Sequence, residues 1–257
     1  MSIFKELYNY RELLKTNVKK EIRGKYKGSF LGVMWSFLNP LLMVLVYSLV
    51  FPFILKISEA NYVVFLICGI IPWNFFTTVL TYGVTTIVGN GNILKKVYFP
   101  REILPISVVS SGLVNFLISC IIIFAFLIFY RIGFSVYILF LPLIIAIQYM
   151  LSLGLVFLIS AIDVYIRDLE YIINVILMLL FYLTPVLYSS TNLPEHLRWV
   201  FKINPMAYII ESYKSVLYYK QLPDVWGLVI VAIISSLVLL IGYAVFKKLE
   251  KGFAEEL

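Results

Sequence analysis

Charged residues in this chain are separated by long apolar runs that lack the strict alternation of a half-buried strand. The uncharged runs are 28–55, 60–94, 103–130, 132–162, 171–194 and 225–246. A helix needs about 20 apolar residues to cross the hydrocarbon core, so each run holds one crossing and none comfortably holds two. Spans are predicted over 33–53, 64–86, 105–129, 135–160, 172–188 and 226–246. A barrel would show strands of about 10 residues with alternating polarity. The pattern therefore predicts an all-α integral membrane protein with six transmembrane helices, in one transmembrane domain over 1–257.

Four segments between the runs have their own patterns. In 3–23, Ile3, Phe4, Leu7, Leu14, Val18 and Ile22 recur at helical spacing, interrupted by Arg11. Residues 1–27 are thus expected to carry an amphipathic helix lying at the membrane surface. Gly24, Gly28 and Gly32 follow at four-residue spacing. They suit either close helix packing or a flexible elbow into the first span. In the 89–102 loop, Gly89 to Asn92 close one helix and open a short second one, which Pro100 stops. With Lys95, Lys96, Tyr98, Phe99 and Arg101, it is either a docking knob or a basic loop that serves topology. In 163–170, Asp163 and Arg167 are spaced to pair along a helix. Asp163, Asp168 and Glu170 support a catalytic cluster only weakly, and a solvated helix end is the better reading. In 189–224, Asn192 and Pro194 open a helix that ends near Asn204–Pro205. A second helix places Met206, Ile209, Ile210, Tyr213, Val216 and Leu217 on one face and Glu211, Lys214 and Ser215 on the other. The pair is expected to form an external re-entrant hairpin before the last span, in the role of an outer gate or a surface loop.

Composition narrows the class. Of 257 residues, 62% are hydrophobic and 14% charged, against about 25% charged in soluble domains. Mean hydropathy is +0.97. A soluble globule, a disordered tail and a disulfide scaffold are excluded. Six spans put both termini on one side. That side holds 15 Lys/Arg and the other six, so both termini are expected in the cytoplasm and the protein in the plasma (inner) membrane. The net charge of +7 then reflects topology and lipid contact rather than nucleic-acid binding. Cys68 and Cys120 fall inside spans, which argues against a disulfide.

Charge is nearly absent from the spans, which argues against a proton- or sodium-driven carrier. Polar and aromatic stripes remain. The fifth span carries Tyr171, Asn174, Met178, Phe181, Tyr182, Pro185 and Tyr188, and the first carries Trp35, Asn39, Met43, Tyr47 and Phe51. The second carries Trp73, Asn74, Thr77, Thr78, Thr81, Tyr82 and Thr85. Such faces either pack helices together or line a path for a hydroxyl-rich cargo such as a sugar. No phosphate loop, HExxH or CxxC motif is present, and His196 is the single histidine.

Five blocks carry a resemblance: GKYKGSFLGVMWSFLNPLLMVLVYSLVF (24–51), LKKVYFPREILP (94–105), IRDLEYI (166–172), YLTPVLY (182–188) and NPM (204–206). In this order they resemble the ABC transporter type 2 permeases that export O antigen, capsule and teichoic acid. The resemblance implies a homodimer paired with two copies of a separate ATPase that binds ATP and Mg, with no cofactor on this chain and no catalytic residue. It implies an ATPase-coupling helix formed by Asn92, Lys95, Lys96, Val97, Tyr98, Phe99, Pro100 and Arg101. Arg23, Lys25, Tyr26 and Lys27 would border the cytoplasmic entrance. A channel for an undecaprenyl-type lipid-linked glycan would be lined by Trp35, Asn39, Tyr47, Phe51, Tyr171, Asn174, Met178, Phe181, Tyr182 and Tyr188. Nothing beyond the permease core is implied for the 247–257 tail. The alternatives are a type 2 permease for a lipid, drug or small metabolite, or a membrane enzyme acting on lipid-linked sugars.

Overall fold

The structure, a computed structural model, describes residues 9–55, 60–189 and 203–257. Its described residues form helices and no strands. In chain order these are α1 (Arg11–Tyr26), α2 (Trp35–Leu55), α3 (Tyr62–Val84), α4 (Thr86–Gly89), α5 (Gly91–Leu94), α6 (Ile103–Phe129), α7 (Leu141–Asp163), α8 (Leu169–Tyr182), α9 (Pro205–Leu217), α10 (Val225–Leu249) and α11 (Phe253–Glu256). Helices α2, α3, α6, α7 and α10 belong to five segments long and apolar enough to cross a membrane, in five of the six predicted places.

The sixth place is different. Helix α8 has 14 residues, about 21 Å at 1.5 Å per residue, which is short of a bilayer core. The expected span over 172–188 therefore ends early, at Tyr182. Pro185 disfavours helical backbone in the residue before it and has no N–H to extend the ladder. The chain turns instead through 183–188.

Helix α3 is the axis. It packs on α2, α6, α7, α8 and α9, while α10 lies mainly along α7 and α1 lies on α6. The apolar window of α3 is 78% buried against 11% for α2, although both are apolar all round. The crossing of α7 and α10 depends on two glycines. A Cβ on Gly242 would meet the Gly154 carbonyl oxygen at 2.1 Å, and one on Gly154 would meet the Leu239 backbone at 2.6 Å. Small residues allow this approach of backbones in the absence of a hydrophobic drive between helices.

The predicted stripe of the first helix is seen where it is described. Leu14, Val18 and Ile22 are half-buried on α1, and Ile3, Phe4 and Leu7 lie outside the described residues. Gly28 and Gly32 have φ of 80° and 51° with nothing near their Cβ positions, as has Gly24. They make an elbow, not a packing seam. The expected pairing of Asp163 with Arg167 is absent, because α7 ends at Asp163 itself and Arg167 belongs to the connection to α8. The first helix of the expected outer hairpin, with Asn192, Pro194 and His196, lies outside the described residues.

Helix α9 is as predicted on its apolar face: Met206, Ile209, Ile210, Tyr213, Val216 and Leu217 are all buried. Lys214, expected on the polar face, is buried too, at 2% exposure. Its Nζ donates to the carbonyls of Pro185 (2.5 Å), Val186 (3.0 Å) and Tyr188 (3.3 Å) and sits 3.5 Å over the Phe65 ring. The turn after α8 leaves these carbonyls without helical donors, and the ammonium supplies three. Replacing Lys214 by Met is expected to cost about 1–3 kcal/mol for each carbonyl left unsatisfied. The detergent-solubilised variant should melt at a clearly lower temperature; an unchanged midpoint would show that the ammonium does not hold this turn.

Candidate functional site

Two places stand apart from the packed core. The first is a cavity of about 510 Å³ between α2, α3 and α6. Trp35, Ser36 and Asn39 of α2 line it, facing Asn74, Thr77 and Thr78 of α3 and Asn115 and Ser119 of α6. Pro40 has no N–H, so within α2 the Ser36 carbonyl loses its usual donor. Ser119 of α6 donates to that carbonyl at 3.4 Å and to the Asn115 carbonyl at 2.9 Å. Thr77 turns its hydroxyl back to the Trp73 carbonyl at 3.2 Å. Asn115 is different: both polar atoms of its amide are buried and have no hydrogen-bond partner among the described residues. The cavity is thus neutral and rich in amides and hydroxyls, and it retains unused hydrogen-bonding capacity.

The predicted lining residues divide into three groups. Trp35 and Asn39 are at the cavity. Tyr47, Phe51 and Phe181 join Trp73 in an aromatic cluster, with centroid distances of 5.4 Å for Tyr47–Phe51, 6.0 Å for Tyr47–Phe181 and 5.7 Å for Trp73–Phe181. Tyr171, Asn174, Met178 and Tyr182 are exposed along α8. Asn174 accepts from the Thr81 hydroxyl at 3.5 Å. Tyr188 is half-buried, its hydroxyl donating to the Tyr182 carbonyl at 2.7 Å. Leu177 is the only buried residue of α8, so its aromatic and aliphatic faces are exposed alike. Asn115 and Ser119 are absent from the sequence-based set. The signal for them was present: with Ser107 and Ser111 they recur at four-residue steps along the span.

The second place is the loop after α3. Helix α5 is a single turn, continued by the bond from the Val97 N–H to the Ile93 carbonyl at 3.0 Å. The helix expected over 92–101 is therefore shorter, and Tyr98 to Pro100 are non-helical. Asn92, Lys95 and Lys96 are exposed. Tyr98 projects at 94% exposure with Val97 beside it, while Phe99 turns inward at 8%. Arg101 and Pro100 are half-buried. The tip is apolar and aromatic, flanked by two ammonium groups, a surface suited to a protein cleft with acidic rims. Lys20 of α1 donates to the Asn90 side chain at 3.1 Å and ties this loop to the first helix. Arg23 and Lys27 are exposed at the far end of α1, whose last residues are Lys25 and Tyr26. Near its start the Glu12 carboxyl is held below its usual range, chiefly by the hydrogen bond from Lys15.

Among the described residues no three His, Cys, Asp or Glu side chains are placed to hold a metal ion. Cys68 and Cys120 are buried free thiols.

A family model described as ABC-2 type transporter matches residues 12–218. The chain is 35% identical over 257 residues to an O-antigen export system permease protein RfbA of Myxococcus xanthus, covering 99% of both chains. It is 33% identical over 245 residues to a protein of the same name from Klebsiella pneumoniae, covering 95% of this chain and 94% of that one.

Replacing Asn115 by Leu removes two unsatisfied buried polar atoms of similar volume. The variant is expected to be more stable in detergent by about 1–3 kcal/mol. A lowered melting temperature would mean that the amide already has a partner in the resting protein.

Proposed function

The chain belongs to the ABC-2 type transporter family, and from that premise we propose that it is the permease subunit of an ATP-driven exporter of lipid-linked polysaccharide of the O-antigen type. The observation that carries this reading is the likeness to O-antigen export permeases over nearly the whole length of both chains. The permease is a transport subunit. A separate ATPase would bind ATP and Mg and hydrolyse the nucleotide. Six crossings are inferred, with α8 and the turn after it forming the fifth, both termini in the cytoplasm and the protein in the plasma membrane. Helix α1 would lie at the membrane surface as it packs on α6, and the segment before α9 would complete a re-entrant hairpin.

Two surfaces support this reading. The apolar tip around Tyr98 has the size and chemistry of an insert for an ATPase cleft, and its lysines favour an acidic rim. The neutral cavity of α2, α3 and α6 suits a sugar, whose hydroxyls exchange hydrogen bonds with amides and whose ring stacks on an aromatic such as Trp35. The exposed apolar faces of α2 and α8 fit a second copy of the chain, which would enclose the channel between two protomers. An undecaprenyl-type carrier would present the glycan.

Two measurements test the proposal. Deleting the partner ATPase is expected to leave polymer inside the cell; normal surface polymer without it would overturn the assignment. The loop makes a sharper demand. Tyr98→Ala should weaken co-purification with the ATPase about tenfold or more. Phe99→Ala should instead lower thermal stability, because its ring is buried. If Tyr98→Ala leaves the complex as tight as before, this tip is not the docking surface.

A further inference from the structure

The 247–257 tail closes over the back of the docking loop. Phe253 is fully buried and packs edge-on against Phe246 at a centroid distance of 5.6 Å. The guanidinium of Arg101 lies 5.7 Å from the Phe253 ring and also donates to the Glu250 carbonyl. One residue on, Glu102 is 1% exposed, and Lys247 of α10 pairs with it while also reaching Glu250 at 3.0 Å. Among the described residues Lys247 is the only cation in ion-pair range of Glu102. At the other end of the loop, Leu257 packs on Gly91, with its Cδ2 3.5 Å from the glycine's Cβ position. The tail thus grips residues 91, 101 and 102, the two ends of the segment that projects Tyr98.

The same tail reaches the connection into α8. The Tyr165 hydroxyl donates to the Leu249 carbonyl at 2.9 Å, and its ring lies 6.4 Å from that of Phe253. A Cβ on Gly252 would press on the Tyr165 hydroxyl, so the tail and this side chain are in close contact. Tyr165 sits in the short connection that leads into α8 at Leu169. The tail is thus packed against both the loop and this connection.

We propose that residues 247–257 form the mechanical link that carries movement of the Tyr98 segment to α8, with Phe253 as its central positioning residue. The inference rests on the docking assignment above, and extends it from where the ATPase binds to how its stroke reaches the helix that faces the cargo. A buried ring between a guanidinium and a tyrosine transmits displacement because packed side chains shift together rather than compress. The buried Glu102–Lys247 pair adds stiffness, since separating it would strand a carboxylate away from water.

The test uses the full chain co-expressed with the ATPase of its own export system. Phe253→Ala should keep the complex assembled and hydrolysing ATP, while surface polymer falls about tenfold or more at equal membrane levels. A restoring variant guards against a mere folding defect. A Cβ at position 91 would lie 3.6 Å from that of Leu257, within the range of a disulfide. Gly91→Cys with Leu257→Cys, oxidised by cupric phenanthroline in the Phe253→Ala background, should re-attach the tail and recover at least half of the export. Normal export in Phe253→Ala, or no recovery once the bridge has formed, would overturn the link. Loss of ATPase binding in Phe253→Ala would also overturn it, because a transmitting residue leaves docking intact. A full-length Tyr98→Ala chain that binds the ATPase as tightly as the wild type would instead overturn the docking assignment, and the link with it.

Discussion

Helix α8 stops before it is long enough to cross a bilayer, and the carbonyls it strands must be satisfied inside the protein. Water is unavailable in the hydrocarbon, so irregular backbone there survives only against protein donors. Lys214 supplies three donors, to Pro185, Val186 and Tyr188. The Tyr62 hydroxyl supplies one to the Leu187 carbonyl at 2.7 Å. Asn204 supplies another, donating to the Leu183 carbonyl at 3.3 Å and to the Thr184 hydroxyl at 2.9 Å while its oxygen caps α9 at the Met206 N–H. Gly69 keeps α3 close enough to touch this turn, since a Cβ there would lie 3.0 Å from the Val186 carbonyl oxygen. The positions of α3, α8 and α9 are therefore set by one constraint: every donor must reach the same short turn.

The same rule extends one helix further. Buried Gln148 of α7 donates to the Pro72 carbonyl at 2.8 Å and accepts from the Tyr213 hydroxyl at 2.9 Å. Three helices are joined by two bonds that leave no water-dependent group, which favours a rigid unit. Helix α2 contrasts with that unit. It meets the bundle through few side chains, chiefly around Tyr47 and Val44 and through the long bond from Ser119 to the Ser36 carbonyl. Elements with sparse buried contact have low local stability. The gradient from α3 to α2 places the adaptable wall of the cavity opposite a fixed one.

Legibility in the sequence followed the physics of each feature. Crossings were readable because charge cannot be spread through hydrocarbon, and the gaps between charges mark them directly. The end of α8 was carried by Pro185, but a charge-free run hides it, since hydropathy does not distinguish a helix from a buried turn. Lys214 was misplaced for a related reason. A helical wheel assigns a lysine to the polar side, and only the neighbouring turn reveals the carbonyls that draw it inward. Tyr98 and Phe99 are adjacent aromatics in one motif, and which of them is exposed depends on the non-helical backbone between Val97 and Pro100. At the cavity, the polar positions of α2 and α3 were readable as stripes. Asn115 and Ser119 lie on a stripe too, with Ser107 and Ser111 at four-residue steps, but a stripe made mostly of serine is ambiguous because such hydroxyls bond back to their own helix.

Buried polar groups among the described residues fall into two kinds, those with local partners and those without. Gln148, Lys214 and Asn204 have partners that account for their position, and their burial is compensated locally. Among the described residues Asn115, Ser152, Ser235 and one carboxylate oxygen of Asp163 have none, and Glu102 has one cation, a half-exposed lysine at the edge of the bundle. A membrane protein that merely needed to fold would gain by replacing such groups with apolar ones. Their burial is a cost borne by the resting state. At Asn115 a cargo hydroxyl arriving in the cavity would relieve it. At Glu102 it makes the contact between the docking loop and α10 sensitive to small displacements, because a paired charge strongly opposes being pulled from its partner in low dielectric.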